Sequence, residues 1–198
     1  MAQTYSRINY HMTQTLSSDL AALKLAIENS EATCGNTRIV TIDGPAGSGK
    51  TTLAKELAGY LGDARVVHLD ELYEGWSKAL DDILYQRIHS WIITPIRNGL
   101  PAKHLSYNWT NDNYSNWTEI PITRVLIMEG VGSGHTSLRP FVSQAVWIEA
   151  DEELLLDRVV QRDGEIVRDE MLIWKAKERA YFEVHQVKKS ANFHLFGQ

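Results

Sequence analysis

The sequence predicts an α/β fold: three layers, with a central, mostly parallel five-stranded sheet flanked by helices. Three observations predict it. Short β-branched runs alternate with longer segments of helical period, and that alternation implies parallel strands joined by right-handed crossovers. Most of the runs are apolar throughout, as strands covered on both faces are. At 198 residues the chain has the size of one domain with one core.

Taken in order, residues 1–15 are polar and are expected to be loosely held. Leu16, Leu20, Leu23 and Ile27 then recur at helical spacing, with Ser17 and Ser18 as caps, and predict a helix packed on the outside as an N-terminal embellishment. Arg38 to Ile42 is a buried strand that stops at Asp43-Gly44. Lys50 to Leu61 is a helix on Leu53, Leu57 and Leu61, ended by Gly62. Val66 to Leu69 is a second strand, ending at Asp70. Residues 81–97 predict one helix with Ile83, Leu84, Ile88, Trp91 and Ile92 on its apolar side. His104–Trp109 and Trp117–Ile120 flank Asn111-Asp112-Asn113 as a hairpin-like excursion. Val125–Met128 and Ala145–Ile148 are further strands, 152–161 and 169–188 are helices, and Asn192–Phe196 is a last strand. The whole is read as one domain, 1–198, with an N-terminal extension over 1–36, an acceptor-binding region over 72–121 and a lid over 158–170.

Composition narrows the function. A formal net charge of −5 argues against non-specific nucleic-acid binding, which needs a basic face. The single cysteine, Cys34, allows neither an internal disulfide nor a cysteine zinc site. No secretory signal and no apolar run near ~20 residues is seen, so the expectation is a cytoplasmic protein with no membrane partner. Oligomeric state is left open.

Gly44-Pro45-Ala46-Gly47-Ser48-Gly49-Lys50-Thr51 matches G-x-x-x-x-G-K-[ST] in full. At average residue frequencies a chance match somewhere in the chain has a probability of about 1 %, and a strand before with a helix after lowers it further. The glycines let backbone N–H groups turn toward phosphate oxygens, and the helix aims its positive end at the same place. Lys50 is expected at the β- and γ-phosphates and Thr51 at magnesium, with Thr52 completing the cradle. Ligands of such sheets sit beyond the carboxyl ends of the strands, so Gly44, Asp70 and Glu129 should surround one crevice. Carboxylates placed there bind magnesium or its waters, or take a proton from an attacking hydroxyl; capping a turn is the plainer alternative.

The segments Ile42–Thr52, His68-Leu69-Asp70-Glu71-Leu72-Tyr73 and Ile127-Met128-Glu129-Gly130-Val131 together resemble the uridine kinase-like family of P-loop kinases. Arg158, Arg162-Asp163 and Arg168-Asp169 extend the resemblance over most of 37–196. It implies an ATP-dependent transfer of the γ-phosphate to a hydroxyl of a nucleoside-like small molecule, with ATP and Mg²⁺ as cofactors. It assigns Asp70 as base, Glu129 with Thr51 to magnesium, Tyr73 to the acceptor site, and Arg162 and Arg168 with Lys50 to the transferring phosphoryl. Arg158, one turn before Arg162, joins the nucleotide site, and the segment around Asp163-Gly164-Glu165 looks like a closing lid.

The acceptor region departs from the family. Tyr107-Asn108-Trp109 has Asn108 in place of an acid, and Glu74-Gly75-Trp76-Ser77 follows Tyr73. Trp76, Tyr107, Trp109, Trp117 and His104 are candidates to stack on an acceptor ring or, more simply, to pack a small subdomain. Trp91, Trp147 and Trp174 are expected in the core, and His135 as structural. Two alternatives stand beside the nucleoside reading. One is a cytidylate-type nucleoside monophosphate kinase, with Arg87 and Arg97 as the available phosphate holders; the other is a non-catalytic ATP-binding regulatory protein. The absence of an Asn-Lys-x-Asp segment argues against a GTPase.

Overall fold

A computed structural model describes residues 19–197. The polar 1–15 segment, Leu16 and the caps Ser17 and Ser18 lie outside them. Helix α1 (residues 19–29) leads to β1 (Arg38–Asp43), the cradle and α2 (Lys50–Leu61). Strand β2 (Ala64–His68) follows, then a short 3-10 turn over Leu69–Glu71 and α3 (Gly75–Lys78). Next come α4 (Asp82–Arg87), a π-helical stretch Ile88–Ile93 and α5 (Thr94–Arg97). The hairpin is β3 (Ala102–Asn108) with β4 (Asn113–Ile120). The chain closes through β5 (Val125–Glu129), β6 (Val142–Glu149), α6 (Glu152–Asp163), α7 (Arg168–Val184), α8 (Val187–Ser190) and β7 (Phe193–Phe196).

The five-stranded sheet has the order β2-β5-β1-β6-β7, and all four pairings are parallel. Side-chain alternation divides the core between its two faces. Val40, Ile42, Val125, Ile127, Val146 and Ile148 point toward α1 and α2. Ile39, Leu126, Met128 and Trp147 point the other way, toward the 82–97 segment and α7. Trp147 and Trp174 are buried as expected, while Trp91 is half-buried against Trp117 and Tyr114.

Two expectations change. The N-terminal helix is not an outer embellishment: Leu23 and Ile27 are fully buried and share a cluster with Leu53 and Leu57 of α2. Leu23→Ala should therefore cost about 2–5 kcal/mol in a urea melt; a loss below ~0.5 kcal/mol would mean the helix is dispensable. The 81–97 helix starts on its cap, with Leu84 N–H donating to Asp81 Oδ1 at 2.9 Å, but it is not one regular α-helix. Pro95 has no N–H and its ring crowds the carbonyl four residues back, so the chain widens to i→i+5 bonding before it, with Thr94 N–H donating to His89 O. Ile83 is exposed; Leu84, Tyr85, Ile88 and Ile92 form the buried stripe instead.

Candidate active site

Strands β2, β5 and β1 are neighbours, so their carboxyl ends bring Asp70, Glu129 and the Gly44–Thr51 loop to one edge of the sheet. The loop is held tightly. A Cβ on Gly44 (φ +151°) would lie 1.9 Å from Ile148 O, and one on Gly47 (φ +84°) 2.4 Å from Leu155 O. Helix α2 starts at Gly49 with no side-chain cap and no acidic residue in its first turn. Its first N–H groups and its positive end therefore face the cradle uncompensated, which suits an anion. Lys50 is buried, and its Nζ donates to Gly44 O and Pro45 O at 2.8 Å each. Burial lowers its pKa, opposed by the charges of Asp43, Glu129, Glu178 and Asp70.

Thr51 Oγ1 donates to Glu129 Oε1 at 2.9 Å. Glu129 and His68 are register partners on neighbouring strands, and His68 Nδ1 lies 2.5 Å from the same oxygen. That hydrogen bond is the largest cause of a raised His68 pKa. One hydroxyl beside one carboxylate suits Mg²⁺, which keeps several waters and takes its remaining ligands from phosphates. Asp70 is the middle residue of the 3-10 turn and reaches solvent. It is nonetheless recessed: loss of hydration raises its pKa first, the Glu129 charge next, while His68 and Arg162 pull it down.

The predicted arginines separate. Arg158 Nη1 reaches Gly47 O at 3.4 Å, against the cradle. Arg162 sits near enough to Asp70 and Glu129 for their charges to act on it, but its guanidinium is held in a fork by Asp163 at 2.7 and 2.6 Å. Arg168 is tied to Glu165, and the other acids acting on it are Asp157 and Asp169. So Arg162 borders the crevice, whereas Arg168 is turned to Glu165 and lies near Asp157 and Asp169.

The hairpin, α3 and α7 border an open cavity of about 700 Å³ walled by Trp76, Tyr107, Trp109 and Tyr114. Trp109 Nε1 donates to Asp70 O at 3.2 Å and ties the hairpin tip to that turn. Trp76 and Tyr107 are thus wall residues, but Tyr73 is not. Its ring is buried between Trp109 and Trp174, and its hydroxyl donates to Val131 O. Asn108 acts locally, since its Oδ1 accepts the N–H groups of Thr110 and Asn111 at 3.0 Å and shapes the hairpin turn. His104 is buried behind the hairpin, Trp117 lies under Lys103, and Arg97 lies over Phe141. His135 stacks on Tyr85 with centroids 3.5 Å apart, and burial lowers its pKa to about 4.

Three residues at the site carry no role in the motif reading. Asp43 is buried; its Oδ1 accepts Gly44 N–H at 2.7 Å, and its Oδ2 accepts Gly134 N–H at 2.8 Å and Gly132 N–H and Tyr181 OH at 3.2 Å. It fastens the cradle to the loop after Glu129, and burial raises its pKa to about 6. Glu178 Oε2 accepts Ala46 N–H and Trp174 Nε1–H at 3.0 Å each and clamps the loop from α7. His68 orients Glu129. Only Glu178 leaves a signal in the sequence: an acid in the apolar register of Met171, Trp174 and Tyr181.

A family model described as an AAA domain matches residues 40–180. No curated protein matches by sequence. Among solved structures, the chain is similar to a possible uridine kinase from Bacillus stearothermophilus, at 21% identity and a TM-score of 0.66, covering 91% of this chain and 99% of that one. It is similar to a putative fructose transport system kinase from Silicibacter sp. TM1040 at 20% identity and a TM-score of 0.64, covering 88% and 98%. A D-glycerate 3-kinase from Cryptococcus neoformans var. grubii follows at 13% identity and 0.53, covering 92% of each chain. The shared fold is the P-loop kinase fold, and it bears out the α/β class and the parallel five-stranded sheet. Among the described residues no helix is long and apolar enough to cross a membrane.

Proposed function

The chain belongs to the AAA domain family, and we propose that within it this protein is an ATP-dependent phosphotransferase acting on a hydroxyl of a nucleoside-like or related small molecule. One observation carries the reading: a carboxylate of raised proton affinity, Asp70, follows β2 at the same sheet edge as an intact phosphate cradle, and its main chain is tied by Trp109 to the hairpin that walls an aromatic cavity. The structural neighbours are named for three different kinases; they support phosphotransfer without choosing an acceptor.

The cradle N–H groups and Lys50 hold the triphosphate, and Lys50 exchanges its bonds to Gly44 O and Pro45 O for phosphate oxygens. Thr51 and Glu129 would hold Mg²⁺, which neutralises charge on the β- and γ-phosphates when bound. Asp70 accepts the proton of the acceptor hydroxyl as its oxygen bonds to the γ-phosphorus. The bond from that phosphorus to the β–γ bridging oxygen breaks, and ADP leaves with the electron pair. Arg162 turns from Asp163 to the transferring group as the lid closes; Arg158, and Arg168 once released from Glu165, follow from the lid side.

Glu129→Gln should raise the Mg²⁺ concentration for half-maximal turnover roughly 10–100-fold, read by titrating the metal in an assay of ADP release; an unchanged requirement removes Glu129 from the metal site. The pH profile of kcat should carry an acid limb above the ordinary carboxylate range. Asp70 has a raised pKa and works ionised, so activity rises as pH climbs through it. A flat acid side would argue against Asp70 as base.

The monophosphate kinase reading is the less favoured one: Arg87 bonds Glu74 at 2.6 Å and the Tyr114 hydroxyl, and Arg97 lies over Phe141 at the amino end of β6, away from the carboxyl ends that carry Asp70.

A further inference from the structure

The charges around the 700 Å³ cavity are unevenly committed. Three carboxylates, Glu74, Asp112 and Glu170, face it against two ammonium groups, Lys78 and Lys177. Both ammonium groups are anchored, Lys78 by a carboxylate and Lys177 by main-chain carbonyls that leave its charge in place. Lys78 pairs with Glu74, which also holds Arg87, and Lys177 Nζ donates to the carbonyls of Trp76 and Ser77 at 3.1 Å each. Two carboxylates keep capacity. Among the described residues Glu170 makes no hydrogen bond or ion pair, and Asp112 uses only Oδ1, toward the Tyr107 hydroxyl.

Between these acids stand aromatic rings. Trp76 and Trp109 meet at 5.2 Å between centroids, and Tyr107 and Trp109 at 5.5 Å, edge to face. The tilts, 59° and 88°, leave no parallel slot for a flat base between them. They form a concave wall whose ring faces carry negative potential. Such a wall attracts a cation and hydroxyl donors. It repels a phosphate ester, which would give up hydration and meet carboxylates.

We propose that this cavity recognises a hydroxylated organic cation, of the amino sugar or amino alcohol class, with the ammonium against the Trp76–Trp109 wall and Glu170 and Asp112 as its counter-charges. The inference rests on the phosphotransferase reading, since it makes this cation the acceptor; Trp109, which walls the cavity and donates to Asp70 O, is the link between the two.

The test separates the two ideas because it needs no turnover. The full chain without nucleotide is titrated by calorimetry, and by tryptophan fluorescence, with choline and with 3,3-dimethylbutan-1-ol, which has the same shape without the charge. Choline should bind roughly five- to thirtyfold more tightly, and Glu170→Gln should weaken choline but not the alcohol. Equal affinities, no choline binding, or equal loss of both ligands in Glu170→Gln would overturn the inference. Charge-selective binding without phosphotransfer to any acceptor would overturn the kinase reading alone, and transfer to an uncharged acceptor with equal affinities would overturn this inference alone.

Discussion

Asp70→Asn should lower turnover by roughly 10²–10⁴-fold and leave ATP affinity unchanged. Asparagine keeps the shape of the side chain and of the 3-10 turn but cannot take the hydroxyl proton. On the proposed reading the nucleotide is held by the Gly44–Thr51 loop and α2, and Asp70 shares no hydrogen bond with either. The substitution also removes one of the four charges that raise the Lys50 pKa, the last-ranked of them. The acid limb of the pH profile should vanish with the carboxylate. Turnover by single-turnover kinetics and ATP binding by calorimetry check both halves; loss of both together would mean that Asp70 supports the cradle rather than the chemistry.

Gly44→Ala costs about 2–6 kcal/mol of stability, combining backbone strain with overpacking, and removes ATP binding. Its φ of +151° is one that side chains rarely adopt, and the new Cβ would stand 1.9 Å from Ile148 O in β6. Relief requires the loop to leave the sheet, which breaks the bond from its N–H to Asp43. Gly49→Ala is the control: its φ of +96° strains the backbone, but the nearest atom is 3.9 Å away, so the cost is only about 1–2 kcal/mol. Chemical denaturation of the two variants compares them, and equal losses would show that the close approach to β6 does not exist.

Much of this fold is legible from residues alone where the signal is local. The runs that form β1 and β5 are β-branched or apolar and stop at glycines, so their ends are readable to within one residue. Those ends, with that of β2, deliver Gly44, Glu129 and Asp70 to one edge, as a parallel sheet with its ligand beyond the carboxyl ends requires. What stays hidden depends on strand order. His68 meets Glu129 only because β2 pairs with β5, and no periodicity encodes that neighbour. Asp43 reads as a plain strand end because its partners, Gly132, Gly134 and Tyr181, come from 89 to 138 residues away. Tyr73 is misread for a similar reason: its pattern suits a pocket wall, but Trp174 from α7 packs over it. The N-terminal helix is underrated because amphipathic spacing states which face is buried, not against what.

The most direct measurement follows the γ-phosphate itself. The protein is incubated with Mg²⁺ and γ-labelled ATP across a panel of nucleosides, sugars and amino alcohols, and the labelled products are resolved. Label is expected on an organic hydroxyl in equal amount to the ADP formed, and is expected to be lost in Asp70→Asn. Label appearing only as inorganic phosphate across the panel, at a rate that Asp70→Asn leaves unchanged, would contradict that expectation.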